Sequence, residues 1–174
     1  KDAITAAVAI AKYDWIVTTD ADCILPTYWL DALDEFIQSQ AVHCIFGPVT
    51  YNHLNSFFDR FQALDFLSLQ GATIGGFGLK KPFLCNGANM AFLKSKFESL
   101  GGFDGNNHIA SGDDIFLLDK FLAADRRSIG YLKSDKCIVT TAPQSTISHL
   151  IQQRIRWASK TSKTSNNVTK LVGF

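Results

Sequence analysis

The sequence lacks the features that mark membrane-spanning and nucleic-acid-binding proteins. No apolar stretch among its 174 residues reaches the roughly 18 residues that cross a bilayer, and its start shows no signal-peptide pattern. We therefore expect the chain as given to be soluble. A formal net charge of +1 provides no basic field that neutralises phosphates, so nucleic acid is not expected as a partner.

Closely spaced cysteine pairs are absent and glutamate is scarce, and both facts are informative. The four cysteines are Cys23, Cys44, Cys85 and Cys137. They form no C-x-x-C pair and have no histidine at ligand spacing, so we interpret them as buried free thiols in a reducing compartment. Two glutamates stand against fourteen aspartates. Because aspartate favours caps and loops, many carboxylates are expected at the ends of helices and strands.

The composition that is present, 47% hydrophobic and 19% charged, is typical of a globular protein, and we expect one domain over residues 1–174. A β-branched run at 14–19 predicts a strand buried on both faces of a parallel sheet, and residues 42–49 predict a second strand. Between them, residues 27–39 have helical spacing. This alternation indicates an α/β fold. The chain also starts inside a predicted helix without an initiator methionine, which suggests an excised piece of a longer protein.

Residues 54–78 predict a long helix followed by a loop. The apolar side chains of 54–70 favour core packing; the alternative is an amphipathic helix against a membrane surface or a lipid-linked acceptor. Four glycines in 71–78 predict a mobile loop, which is a candidate lid. The later segments continue the pattern, with helices at 94–100, 113–124 and from 146, strands at 83–92, 129–133 and 137–141, and a polar, frayed tail at 159–170.

An acidic pair, Asp20 and Asp22, follows the first predicted strand. With fourteen aspartates in the chain, about one D-x-D is expected by chance, so the pattern alone carries little information. Its position is more informative, because ligands of open parallel sheets bind beyond the carboxyl ends of strands. Two carboxylates there can hold Mg²⁺ or Mn²⁺ shared with phosphates. The alternative is an Asx-turn at the strand exit.

Near the end of the chain, Gln153, Arg154, Ile155, Arg156 and Trp157 spell Q-x-x-R-W. Roughly 0.003 chance occurrences are expected from the residue frequencies, so this signal is specific. On a helix the Gln, the second Arg and the Trp share one face. Arg offers a planar fork for phosphate oxygens, and Trp offers a flat surface for a sugar ring. The alternative is a core-packed Trp157 with both arginines solvated.

A second acidic pair, Asp113 and Asp114, follows Gly112 at the start of a predicted helix. Such a pair can take a proton from a hydroxyl, and ordinary helix capping is the alternative. His108, shortly before, either lines the same site or has a structural role.

These motifs, with the run from Cys85 to Asn89 between them, resemble in order and in type the family 2 glycosyltransferases. These are inverting enzymes with the nucleotide-sugar-binding GT-A fold, a Rossmann-like, mostly parallel sheet flanked by helices, and the resemblance covers nearly the whole chain. It implies Asp22 as metal ligand, with Asp20 near the metal or the ribose. Asp114, paired with Asp113, would be the catalytic base. The remaining implied roles are diphosphate and acceptor-end binding by Gln153, Arg156 and Trp157, and acceptor contacts by Asn86, Gly87 and Asn89.

Members of this family begin with a strand and an acidic site for the donor nucleotide, and this chain has neither. The resemblance therefore implies a partial, N-terminally truncated catalytic domain that is inactive or impaired by itself. In many relatives with Q-x-x-R-W, transmembrane helices flank the catalytic domain, so the resemblance implies that the parent protein lies at the cytoplasmic face of the cell membrane. The implied partners are a nucleotide-sugar donor and a saccharide or lipid-linked acceptor.

Two other functions fit the same residues. A non-catalytic sugar-binding remnant would keep the fold without turnover. A metal-dependent nucleotidyl- or phosphotransferase would need a glycine-rich phosphate loop with lysine, and residues 75–80 imitate such a loop only weakly.

Overall fold

The computed structural model describes residues 1–105 and 112–161. The predictions made for His108 and for the tail beyond residue 161 lie outside these residues. Within them are six α-helices and six strands, besides three short 3-10 helices. The helices are α1 Asp2–Ile10, α2 Trp29–Ser39, α3 Phe57–Gly78, α4 Lys94–Ser99, α5 Asp113–Asp125 and α6 Ile147–Thr161. The strands are β1 Trp15–Thr18, β2 Cys44–Phe46, β3 Val49–Tyr51, β4 Met90–Leu93, β5 Ile129–Tyr131 and β6 Val139–Thr141.

The central sheet has the strand order β1-β4-β2-β5. β2 and β5 pair in parallel, while β4 runs antiparallel to both of its neighbours. Three of the four strands therefore point the same way, which confirms the predicted α/β class with a largely parallel sheet. A second, two-stranded sheet pairs β3 with β6 in parallel.

Alternation along the central strands creates a core on each face of the sheet. In β2, Cys44 and Phe46 point into a core shared with α1, α4 and α5, whereas Ile45 points into a core shared with α2 and α3. The same alternation holds in β4. This is the period-two pattern that buries both faces of a strand.

Three strand predictions were wrong in detail, and one of them is the segment at 83–92, where the strand begins only at Met90. β1 is half-buried along its whole length, because it lies at one end of the described sheet and pairs with β4 alone. The segment at 42–49 is two strands in different sheets, divided at Gly47-Pro48. Gly47 approaches the Asn89 side chain closely. A β-carbon at position 47 would lie 2.5 Å from Asn89 Nδ2. The chain turns from one sheet to the other at this contact.

The predicted lid at 71–78 was also wrong, because these residues continue α3 as far as Gly78. A capping box between Ser56 and Asp59 starts the helix, and buried side chains on its inner face, including Gln70 and Thr73, hold its second half against the protein. Each glycine in a helix interior lowers helix stability by about 1 kcal/mol relative to alanine, and tertiary packing can offset this loss. Gly76 is required for that packing, because a β-carbon there would lie 2.9 Å from the Phe83 ring.

The expectation that the apolar side chains of the long helix pack in the core holds on one face only. Its inner face joins the core through Phe66, while the opposite face exposes apolar side chains to solvent. These exposed residues are Phe57, Phe61, Leu64 and Leu67. Among the described residues, no helix has the combined length and apolar content that a bilayer crossing demands.

Candidate active site

A cleft of about 800 Å³ opens where β1 and β6 end, bounded by the start of α5 and by α6. Most of the residues singled out in the sequence line it. They are Asp20, Asp22, Asn86, Gly87, Asp113, Asp114, Gln153, Arg156 and Trp157. Segments that are far apart in the chain therefore meet at one cavity, as the strand-end position of the acidic pair predicted.

The acidic pair lies on a short loop that is fastened to β6. Ile24, just after the loop, exchanges two backbone hydrogen bonds with Thr140, of 2.7 and 3.0 Å. The hydroxyl of Thr141 donates to Asp22 Oδ2 at 3.4 Å. These contacts hold both carboxylates at the edge of the cleft.

The donor atoms around this loop fit a divalent cation. One ligand atom from each of Asp20, Asp22 and Cys23 lies within 4.8 Å of the others. Carboxylate oxygens are the ligands that Mg²⁺ and Mn²⁺ prefer. Burial raises the pKa of the Cys23 thiol, and the charges of the two carboxylates act in the same direction. The two carboxylates, not the thiol, would therefore be the ligands of a cation bound here, and the thiol lies 4.0 Å from Asp22 Oδ1.

The two residues of the second acidic pair, Asp113 and Asp114, lie in different environments. Gly112 begins α5 with φ of 102°, a left-handed conformation that glycine adopts readily. Asp114 turns toward the cleft, where its Oδ2 accepts a hydrogen bond of 3.2 Å from the Gly87 N–H. Asp113 instead forms an ion pair with Lys1, with 3.3 Å between Oδ1 and Nζ. Of the two, Asp114 is better placed to act as a base.

The Q-x-x-R-W helix is held by α3 and β3. Trp157 packs on Phe66, with 5.8 Å between ring centroids, and the Arg154 guanidinium lies 4.4 Å from the Trp157 ring centroid. Arg154 also forms a hydrogen-bonded ion pair with Asp65. The prediction that Trp157 is an anchor is thus compatible with the structure, but a solvated Arg154 is not.

Gln153 is fixed by its neighbours in the same network. Its Oε1 accepts hydrogen bonds from the Tyr51 hydroxyl at 3.5 Å and from Arg154 Nη1 at 3.1 Å. Burial raises the pKa of Tyr51, so this hydroxyl keeps its proton and acts as the donor.

Arg156 differs from Arg154 in its surroundings. It is exposed, it lines the main cleft, and it also lines an adjoining pocket of about 320 Å³ with His149 and Gln152. Its guanidinium has no ion pair within residues 1–105 and 112–159. It is therefore available to an anionic ligand in the cleft.

A family model described as glycosyl transferase family group 2 matches residues 15–168. The chain belongs to this glycosyltransferase family. Among solved structures, a mycobacterial protein is similar, with a TM-score of 0.53 and 16% sequence identity over 92% of this chain. That likeness concerns the fold alone, and the chain spans 50% of the mycobacterial protein's length. No curated protein matches the chain at a significant level.

One predicted site residue, Asn89, does not line the cleft. It is 1% exposed, and its amide Nδ2 donates to Pro48 O at 2.8 Å and to Cys137 O at 2.7 Å. Its Oδ1 accepts from Trp29 Nε1 at 3.0 Å. Because the side chain is fully engaged in the core, the structure gives Asn89 a structural role instead of an acceptor contact.

The sequence interpretation missed a buried residue that supports the site, Gln62. It is 0% exposed, and it donates to Gln144 O at 3.0 Å and accepts from Gln144 N at 2.9 Å. This pair of bonds holds the connection between β6 and α6. A signal was present, since Gln62 lies four residues from both Phe58 and Phe66, at helical spacing.

The expectation of buried cysteines holds for Cys44 and Cys137 only. Cys23 and Cys85 are partly exposed and line the cleft. All four are free thiols, as the absence of a disulfide pattern predicted.

Proposed function

We propose that this chain is the catalytic part of an inverting, metal-dependent glycosyltransferase. The full reaction moves a sugar from a nucleotide-sugar donor to a hydroxyl acceptor in polysaccharide or glycolipid synthesis. One observation carries the proposal: the Asp20/Asp22 pair, Asp114 and Arg156 line the same cleft. Family membership supports sugar transfer as the reaction class.

Each residue has a distinct task in this proposal. Asp114 takes the proton from the acceptor hydroxyl, which then attacks the anomeric carbon on the face opposite the diphosphate and inverts its configuration. Arg156 binds the diphosphate through its exposed guanidinium, and Gln153 and Trp157 shape the adjoining wall. Asn86 and Gly87 lie on the acceptor side.

Asp22 and Asp20 would hold the divalent cation, Mg²⁺ or Mn²⁺. When bound, the cation supplies positive charge that offsets the charge developing on the leaving diphosphate.

The proposal is tested with the full-length protein and a panel of UDP-, GDP-, dTDP- and CDP-sugars. We expect at least one donor to release its nucleoside diphosphate when Mn²⁺ or Mg²⁺ is present, and none to do so in EDTA. Asp22→Asn should abolish this release and also weaken Mn²⁺ binding measured by calorimetry with UDP or GDP. Asp34→Asn, which changes an exposed carboxylate on α2, is the matched control and should leave both unchanged.

The two alternative functions give different products in the same assay. A sugar-binding remnant binds a nucleotide-sugar with metal but releases nothing. A nucleotidyl- or phosphotransferase yields a nucleoside monophosphate or cleaves a nucleoside triphosphate. Either result, or release that persists in EDTA, contradicts the proposal.

We further propose that the complete protein is anchored at the cytoplasmic face of the membrane and uses a saccharide or lipid-linked acceptor. The outer face of α3 supports this, with Phe57 86% and Leu64 70% exposed. Three isoleucines one helical turn apart on α6, namely Ile147, Ile151 and Ile155, are exposed as well. Soluble proteins rarely leave large apolar patches uncovered.

Cell fractionation tests the anchoring. The full-length protein is expected in the membrane fraction, retained through a high-salt wash and released by detergent, because apolar contacts resist salt. Recovery in the salt wash or in the soluble fraction would show that the exposed residues serve another purpose.

A further inference from the structure

The turn of residues Asn86, Gly87, Ala88 and Asn89 touches the proposed base directly. The Gly87 N–H donates to Asp114 Oδ2 at 3.2 Å. Opposite it, the Ile115 N–H donates to Oδ1 at 2.9 Å. The two bonds restrain both oxygens of the carboxylate, one from its own helix and one from the turn.

The backbone of Gly87 also packs closely against the Asp114 side chain. A β-carbon at this position would lie 3.3 Å from the Asp114 β-carbon and 3.8 Å from its Oδ2. A side chain at residue 87 must therefore displace Asp114 or the turn by a few tenths of an ångström. The absence of a side chain lets the backbone N–H reach the carboxylate.

Thr18 fixes the turn from the other side. As the last residue of β1, it lies opposite Met90 in the strand pairing, and its hydroxyl donates to Gly87 O at 3.0 Å. A longer contact of 3.4 Å reaches Met90 O. Within the turn, Asn86 Oδ1 accepts from the Ala88 N–H at 3.0 Å. The peptide groups of Gly87 are thus held between β1 and Asp114.

We propose that Thr18 and Gly87 are positioning residues for Asp114, and that the turn orients the base relative to the acidic loop that follows β1. This inference rests on the proposed function, in which Asp114 is the base. One strand then carries the loop of Asp20 and Asp22 and also holds the turn that orients Asp114. The spacing between the two halves of the site is set by this connection.

The experiment compares Thr18→Val, which keeps the shape of the side chain without the hydroxyl, with Thr18→Ser, which keeps the hydroxyl. Gly87→Ala is a second variant, independent of the Thr18 hydroxyl, because its added methyl group contacts the Asp114 side chain directly. All are made in the full-length protein and again together with Asp114→Asn. Measured quantities are kcat and KM for the donor, the Kd of UDP or GDP with Mn²⁺, and the melting temperature.

Thr18→Val and Gly87→Ala are each expected to lower kcat by about tenfold, because small misplacements of a catalytic group are costly. KM and the Kd of the nucleotide should stay unchanged, and Thr18→Ser should restore the rate. In the Asp114→Asn background neither change should lower the rate further.

Three results overturn the inference: unchanged kcat in both variants, a Kd that weakens in parallel with kcat, or an additive loss in the Asp114→Asn background. A parallel loss would show that Thr18 acts through the acidic loop. If Asp114→Asn by itself keeps the full rate, the assignment of the base in the proposed function fails too. If Asp114→Asn is inactive while Thr18→Val and Gly87→Ala are normal, the inference fails alone.

Discussion

Asp114→Asn is expected to lower kcat by about 10²- to 10⁴-fold, the usual contribution of a positioned general base. An amide preserves the shape of the side chain, and its oxygen can accept one of the two backbone hydrogen bonds that Asp114 receives, but it cannot take a proton from the acceptor hydroxyl. Binding of UDP or GDP with Mn²⁺ should remain near wild type, because the acidic loop and Arg156 are untouched. Steady-state release of nucleoside diphosphate measures the rate, and calorimetry measures the binding.

The neighbouring residue supplies the control. Asp113 also lines the cleft, but its carboxylate is paired with Lys1. Asp113→Asn should therefore lower kcat by no more than about tenfold, since the proton transfer itself is preserved. If Asp113→Asn is the more damaging change, the base is Asp113 and the assignment to Asp114 is wrong.

The largest effect on stability is expected from Asn89→Ala, which should lower the free energy of unfolding by about 3–5 kcal/mol. The change leaves Trp29 Nε1 and Cys137 O without the side chain that they bond, while Pro48 O keeps its hydrogen bond from the Val139 N–H at 3.1 Å, and each unsatisfied buried group costs about 1–3 kcal/mol. Denaturant unfolding followed by circular dichroism measures the change, provided that the slope of the transition is the same in both proteins.

Asn86→Ala is the matched control, because it removes an asparagine from the same turn at a partly exposed position. Only the hydrogen bond from the Ala88 N–H is affected among those described above, so a loss of about 1 kcal/mol is expected. Equal losses of unfolding free energy in the two variants would contradict this prediction. They would show that the buried hydrogen bonds of Asn89 stabilise the protein no more than the single local bond of Asn86.

Local sequence patterns identified most of the helices and strands. The helix predicted at 113–124 is α5, Asp113–Asp125, and the one predicted from 146 is α6, Ile147–Thr161. These signals are local because apolar periodicity and capping residues act within a few positions of one another. The glycine-rich part of α3 is the informative exception. Its helical state depends on packing across the fold, including the Gly76–Phe83 contact, which no local pattern contains.

The residue types of the candidate site were predictable from the sequence, but the contacts between those residues were not. Q-x-x-R-W and the two acidic pairs stand out in the sequence, and the structure brings all three to one cleft. The sequence did not reveal that Asn89 belongs to the core, that Arg154 is paired with Asp65, or that Gly87 holds Asp114. Each of these depends on which atoms lie nearby, and the residue types alone are compatible with several arrangements.

By itself, the sequence determined the α/β class, the family resemblance and the chemical groups available for the reaction, since these depend on residue identity and short-range periodicity. The tertiary structure decided which of those groups face the cleft and which support it. The deciding hydrogen bonds join residues far apart in the chain: Gly87 and Asp114 are separated by 27 positions, Thr18 and Gly87 by 69, and Gln62 and Gln144 by 82. Contacts over such separations form only when the whole chain packs, so no local pattern encodes them.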